Sequence, residues 1–206
     1  MRFQSLLILF AAAPTMSIVV AVRKNGRTVM AADSLTSFGD SQRIPSANST
    51  TAKVQRVGGS LLGSTGWAIY DNILDSFLAT RPGPDLSFER PIFEFFLELW
   101  RALHERYTFV NDQSQGKDSP FGDLDSSFLI GSPKGIYKVS HDLDVCRFEQ
   151  YYAIGSGSEY ALGAMYSLYD QNLNADEIAR RAVHTAMQFD VHCGGEVECL
   201  ALVDPS

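Results

Sequence analysis

Two short apolar, β-branched runs, Ile18–Val22 and Thr28–Ala32, are separated by only five residues, Arg23-Lys24-Asn25-Gly26-Arg27, and no other feature constrains the fold as strongly. Asn-Gly is the pair that two-residue hairpin turns select, because both central residues must take positive φ. The two runs are therefore expected to pair antiparallel. After Asp33 the chain turns polar (SLTSFGDSQRIPSANSTTA), which reads as a loop or irregular strands. Strand character resumes at Lys53–Val57 and Ser60–Gly63, a second β pair ending at Gly66.

The period then changes. Ile69, Tyr70, Ile73, Leu74, Phe77 and Leu78 fall three and four apart, so Trp67–Leu78 reads as a helix that RPGPD at 81–85 stops. A second helix is expected from Pro91 to about Tyr107, with Pro91 in its first turn and Phe95, Phe96, Leu99, Trp100 and Leu103 forming a wide apolar face. Residues 108–122 are polar and turn-rich and read as a long surface loop. Strands follow at Ser127–Ile130, Gly135–Val139, Val145–Phe148 and Tyr151–Ile154, then helices at Glu159–Tyr169 and from the N-cap Asn174 to Gln188, then a closing strand, Glu196–Val203. Strands, two helices, strands, two helices, strand, with hairpin links, fit two antiparallel sheets between helix layers.

Composition narrows the function. The 206 residues fit one domain, and 45% hydrophobic against 20% charged residues suits a packed core. A formal charge of −7 with no basic block disfavours a nucleic-acid partner. Cys146, Cys193 and Cys199 match neither a zinc pattern nor a CxxC pair, and reduced thiols in a cytoplasmic protein are the expectation. His104, His141, His184 and His192 have no partner at ligand spacing, so no metal and no cofactor are expected. The GSGS at 155–158 lacks the lysine of a phosphate loop, and Ile154 breaks a GxSxG elbow.

Residues 1–16, MRFQSLLILFAAAPTM, allow three readings. They form a weak secretory signal, a propeptide, or the product of a start assigned upstream of Met16. The apolar run is too short to span a bilayer, so no membrane anchor is expected.

The segment SIVVAVRKNGRTVMAADS resembles the opening of proteasome β subunits and of bacterial HslV-type proteases, and the resemblance extends almost from Ser17 to Val203. In those families the chain begins with a catalytic Thr, and aligning RKNG and AAD puts Ser17 in its place. An N-terminal Ser carries its own base, since a free α-amino group titrates near about 7.7–8.0 and offers a neutral fraction at cellular pH. That amine exists only once residues 1–16 are absent, which favours the start at Met16. KVQRVGGSLLGSTGWA resembles the segment that supplies a lysine, Lys53, held by Asp33, and an oxyanion-binding N–H, that of Gly66 at the start of the first helix. AIGSGSEYA and FDVHCGGEVE resemble the segments that place Ser156 and Asp190 around the amine. Cys193 stands where the family has Ser and Ser17 where it has Thr. With both departures the resemblance implies a slower enzyme.

The resemblance thus implies an Ntn-hydrolase fold, a four-layer α/β/β/α sandwich of mature residues 17–206. It implies a peptidase subunit of a self-compartmentalising homo-oligomeric ring or stacked rings, acting on unfolded polypeptides or peptides and compatible with an ATP-dependent unfoldase partner. Thr36, Ser37, Thr51 and Ser64 fall at positions like the family's substrate-pocket wall. The rivals are an inactive ring subunit that keeps residues 1–16, an amidase acting on a small molecule with the same nucleophile, and a secreted binding protein.

Overall fold

The structure is a computed structural model that describes residues 16–38, 42–44, 52–66, 68–81, 83–107 and 126–203. The surface loop expected at 108–122 lies outside the described residues, as do 1–15 of the leader.

The first hairpin forms as its turn chemistry demands. Strand β1 (Val19–Lys24) pairs antiparallel with β2 (Arg27–Asp33), and Asn25 and Gly26 both take positive φ, 53° and 68°. Strand β10 (Tyr151–Ile154) adds to the outer edge of β1 and β11 (Val197–Val203) to that of β2, giving the order β10-β1-β2-β11. The second sheet runs β5-β6-β7-β8-β9, from β5 (Val54–Val57) and β6 (Ser60–Gly66) to β7 (Ser126–Ser132), β8 (Gly135–Val139) and β9 (Val145–Phe148).

Strand alternation then decides the layers. Successive side chains point to opposite faces. From β1, Val20 and Val22 join a core beneath helices α3 (Ser158–Leu168) and α4 (Ala175–Phe189), while Val19 and Ala21 meet Leu61, Leu129 and Ile136 of the other sheet. On the far side, α1 (Ala68–Thr80) and α2 (Glu89–Arg106) cover the second sheet, with Phe77, Phe95, Phe96 and Phe128 in a chain of aromatic contacts 4.8–5.5 Å between centroids. Each such side chain contributes about 1.5–3 kcal/mol on burial. Three cores between four layers make the α/β/β/α sandwich. Helix α4 is held at its start by a capping box in which the Asn174 side chain and Glu177 exchange hydrogen bonds with each other's backbone N–H.

Several boundaries move. The polar segment after Asp33 contains a small hairpin, β3 (Thr36–Phe38) with β4 (Gln42–Ile44), whose composition hides it because neither strand alternates apolar with polar residues. Lys53 precedes β5 rather than lying within it. Strand β6 runs on to Gly66, paired with Ser126, so Gly66 ends a strand and α1 begins two residues later, at Ala68. The β7 ladder, invisible locally, is what extends β6.

Candidate active site

Five separate segments converge on the start of β1. Ser17 lies two residues before that strand, is 8% exposed, and has φ 140°, a region that non-glycine residues avoid. Its neighbour Ile18 donates its N–H to Asp33 Oδ1 at 3.0 Å. Asp33, at the end of β2, is fully buried and accepts two further hydrogen bonds: from Lys53 Nζ to Oδ1 at 2.7 Å and from the Gly194 N–H to Oδ2 at 3.0 Å. One carboxylate thereby ties the nucleophile strand, the lysine segment and the loop before β11 together. The Lys53 side chain is only 12% exposed, so the pair is shielded from the solvent screening that makes surface ion pairs weak.

The turn between β10 and α3 closes the other side. Ser156 Oγ lies 3.4 Å from both the Ser17 nitrogen, whose N–H it accepts, and the Ser17 carbonyl oxygen, to which it donates. Gly157 donates its N–H to the same carbonyl at 3.4 Å. Gly155 has φ 101°, and a Cβ there would clash with the Ser17 carbonyl oxygen and come within 2.8 Å of its carbonyl carbon. Gly155→Ala is therefore expected to destabilise by about 2–4 kcal/mol through backbone strain and overpacking, read as a lower denaturant midpoint.

Asp190 caps the loop after α4. Its Oδ1 accepts the His192 N–H at 2.9 Å and its Oδ2 accepts from Cys193 Sγ at 3.4 Å. Burial alone pushes this carboxyl up, but the Ser156 hydroxyl, the His192 N–H and the Cys193 thiol outweigh it and hold it below the usual carboxylate range. Cys193 is 5% exposed, and burial, followed by the charges of Asp33 and Asp190, pushes its thiol far above the ordinary range. It is thus a protonated hydrogen-bond donor at neutral pH, and the thiolate that a cysteine nucleophile needs is disfavoured. A hydroxyl donates more strongly than a thiol. Cys193→Ser is expected to raise kcat several-fold, measured on a fluorogenic peptide, by stiffening the Asp190–Ser156 arm beside Ser17.

The structure places Ser17, Asp33, Lys53, Ser156, Asp190 and Cys193 together, with Gly66 at the end of β6 at φ 143°. The expected pocket residues are more scattered. Thr36 and Ser37 lie on β3 opposite Ile44 and Arg43, and Thr51 lies outside the described residues. Ser64 points to the helix side of β6, donating to Asp71 Oδ1 in α1 at 2.5 Å. Burial raises the Asp71 carboxyl, opposed first by that Ser64 bond. Sequence reasoning missed Ser34, whose Oγ accepts the Glu196 N–H at 2.7 Å, and the Gly194 N–H on Asp33. It also missed Thr65, which alternation along β6 brings to the inner face with Leu61 and Gly63. Among the described residues no group of three His, Cys, Asp or Glu could hold a metal, and no helix is long and apolar enough to cross a membrane.

Comparison with known proteins supplies the family. Residues 123–202 match the proteasome subunit family. The ATP-dependent protease subunit HslV of Bartonella quintana (strain Toulouse) is 31% identical over 175 residues, covering 84% of this chain and 82% of that one. The corresponding subunit of Caulobacter sp. (strain K31) is 28% identical over 185 residues, covering 87% and 90%. Among solved structures, Thiobacillus denitrificans BPH in complex with epoxomicin is 33% identical with a TM-score of 0.82, covering 92% of this chain and 100% of that one. Eukaryotic HslV from Trypanosoma brucei, 21% identical with a TM-score of 0.63 over 90% and 99%, shares the fold. With identity on this scale running through nearly the whole sandwich and its convergent end, the chain belongs to the HslV-type branch of the proteasome family, the N-terminal-nucleophile peptidases.

Proposed function

We propose that the mature chain begins at Ser17 and hydrolyses peptide bonds in unfolded polypeptides through an ester on Ser17 Oγ. The observation that carries this reading is the buried Asp33–Lys53 pair locked onto the Ile18 N–H, one residue from the hydroxyl. The Ser17 α-amino group takes the Oγ proton as Oγ bonds to the substrate carbonyl carbon, and the Gly66 N–H stabilises the oxyanion. The C–N bond then breaks and the ammonium returns the proton to the leaving amine. Water, deprotonated by the same amine, next cleaves the ester and restores Ser17. The Lys53 charge favours the neutral amine and assists the hydroxyl, while Asp33 fixes where that charge sits.

Residues 1–16 must be absent for this chemistry, and translation from Met16 with methionine trimming is the simplest route. The φ of 140° at Ser17 supports a terminus there, since such backbone costs about 1–3 kcal/mol in an intact chain and the constraint ends with the preceding peptide bond.

Membership of the family supports assembly into a ring, and a homo-oligomeric ring or stacked rings in the cytoplasm is the form proposed for it. It is supported by apolar side chains left exposed on α3, at the end of α4 and in the turn after it, Tyr166, Phe189 and Val191 at 78%, 64% and 63%. The curated relatives are named as ATP-dependent, so an ATP-driven unfoldase is the proposed partner.

Intact mass and N-terminal residue of protein from its native cell are expected to show Ser17 first, and epoxomicin, the ligand of the Thiobacillus structure, is expected to inhibit peptide hydrolysis. A chain retaining residue 16 in the assembled particle makes this an inactive subunit, and a monomer that cleaves small amides makes it an amidase.

A further inference from the structure

The hydroxyl of Thr65 is buried and has no hydrogen-bond partner among the described residues. The residue is 3% exposed, and leaving such a group unpaired carries a desolvation penalty that folded proteins rarely tolerate. Its location is informative. Thr65 immediately precedes Gly66 on β6 and pairs with Ser127 of β7. Its neighbours show the face it occupies: Ser64 reaches outward to Asp71 in α1, whereas Gly63 faces inward against Val19 and Met30. Alternation therefore turns Thr65 inward. There, its Cγ2 and the Ser17 carbonyl group crowd the same face of Gly155.

The amine chemistry requires a group of this kind. For the Ser17 amine to act as base, its lone pair must point toward the Oγ proton, and both remaining N–H bonds then need acceptors to hold that orientation. Ser156 Oγ supplies one, at 3.4 Å from the Ser17 nitrogen. The Asp190 carboxylate already accepts from the His192 N–H, the Cys193 thiol and the Ser156 hydroxyl, and that of Asp33 from three donors.

We propose that Thr65 is a positioning residue of the peptidase site, its Oγ1 accepting the second hydrogen bond from the Ser17 α-amino group once the preceding residues are removed. This rests on the reading of Ser17 as the N-terminal nucleophile. A hydroxyl that accepts from the amine also favours its charged form, as the Asp33 and Asp190 carboxylates do, whereas the Lys53 charge opposes it and the protonated Cys193 thiol adds no charge.

The test uses the assembled, processed protein and the pH dependence of kcat and KM on one fluorogenic peptide. Thr65→Val keeps the side-chain shape and Thr65→Ala empties it, and both remove the hydroxyl. Both are expected to lower kcat about tenfold with KM within twofold of the parent, and to move the acid limb of kcat/KM to lower pH. Thr65→Ser is expected to restore both the rate and the limb. Parent-like kcat and acid limb in Thr65→Val and Thr65→Ala overturn the proposal. So does a loss in Thr65→Val that Thr65→Ala does not share, because shape rather than the hydroxyl is then responsible. Ser17→Ala, assayed alongside, separates the two readings: if it retains parent activity the nucleophile assignment fails, whereas its inactivity with insensitive Thr65 variants removes only the inference about Thr65.

Discussion

Ser17→Ala, in particles whose chains begin at residue 17 and assemble as the parent does, is expected to lower kcat for peptide hydrolysis by on the order of 10³-fold or more, as removal of a covalent nucleophile does elsewhere. In the proposed mechanism the remaining amine, Lys53 and Gly66 N–H still polarise a bound peptide, but without Oγ no ester forms. Because the side chain is small and the backbone contacts of residue 17, from its N–H and carbonyl to Ser156 and from its carbonyl to Gly157, do not use its hydroxyl, the fold is expected to be unaffected. Ser17→Thr provides the complementary arm. The added methyl restricts χ1, so this variant is expected to keep or exceed the parent rate. Steady-state rates on a fluorogenic peptide, with intact mass to confirm the terminus, check both. Equal rates in Ser17→Ala and the parent would overturn the mechanism.

Asp33→Ala is expected to have the largest effect on stability as well as abolishing activity. It removes the acceptor of three donors at once and leaves the Lys53 ammonium, itself mostly buried, without its partner. Breaking a buried ion pair from one side costs about 3–5 kcal/mol. A fall in denaturant midpoint of that size is expected with no measurable turnover. Lys53→Met, which keeps the aliphatic length, is expected to lose activity too. Its fold should survive better, because Asp33 keeps its two backbone N–H donors. A Lys53→Met enzyme with parent-like kcat would show that the lysine charge is not part of the proton path.

Much of the sandwich was legible before any tertiary structure. The Asn25-Gly26 turn, the three- and four-residue spacing in 69–78, and the Asn174 cap are local signals, and each element formed within a few residues of its expected bounds. The errors lay where strand ends depend on a partner. Strand β6 continues to Gly66 because β7, some sixty residues later, pairs with it, and β3–β4 forms without alternation to announce it. The candidate site divides in the same way. Order and spacing raise Ser17, Asp33, Lys53, Gly66, Ser156, Asp190 and Cys193 as candidates by resemblance, and hydrogen bonds link all of them but Gly66 into one cluster. That Cys193 is a protonated donor was not, since its burial and the charges facing it come from segments far away in the chain.

The sequence alone determined the alternation of strands and paired helices, the hairpin that aims Ser17 and Asp33 toward the same end, and the family to which that pattern is similar. These rest on turn chemistry and periodicity, which act between neighbours. Only the tertiary structure decided that Asp33 holds Ile18, Lys53 and Gly194 at once, the last across 161 residues, and that the Thr65 hydroxyl is buried and unpaired among the described residues. Burial and hydrogen-bond satisfaction are properties of the packed interior, where two sheets bring distant segments within 3 Å and exclude the water that would otherwise answer for each polar group.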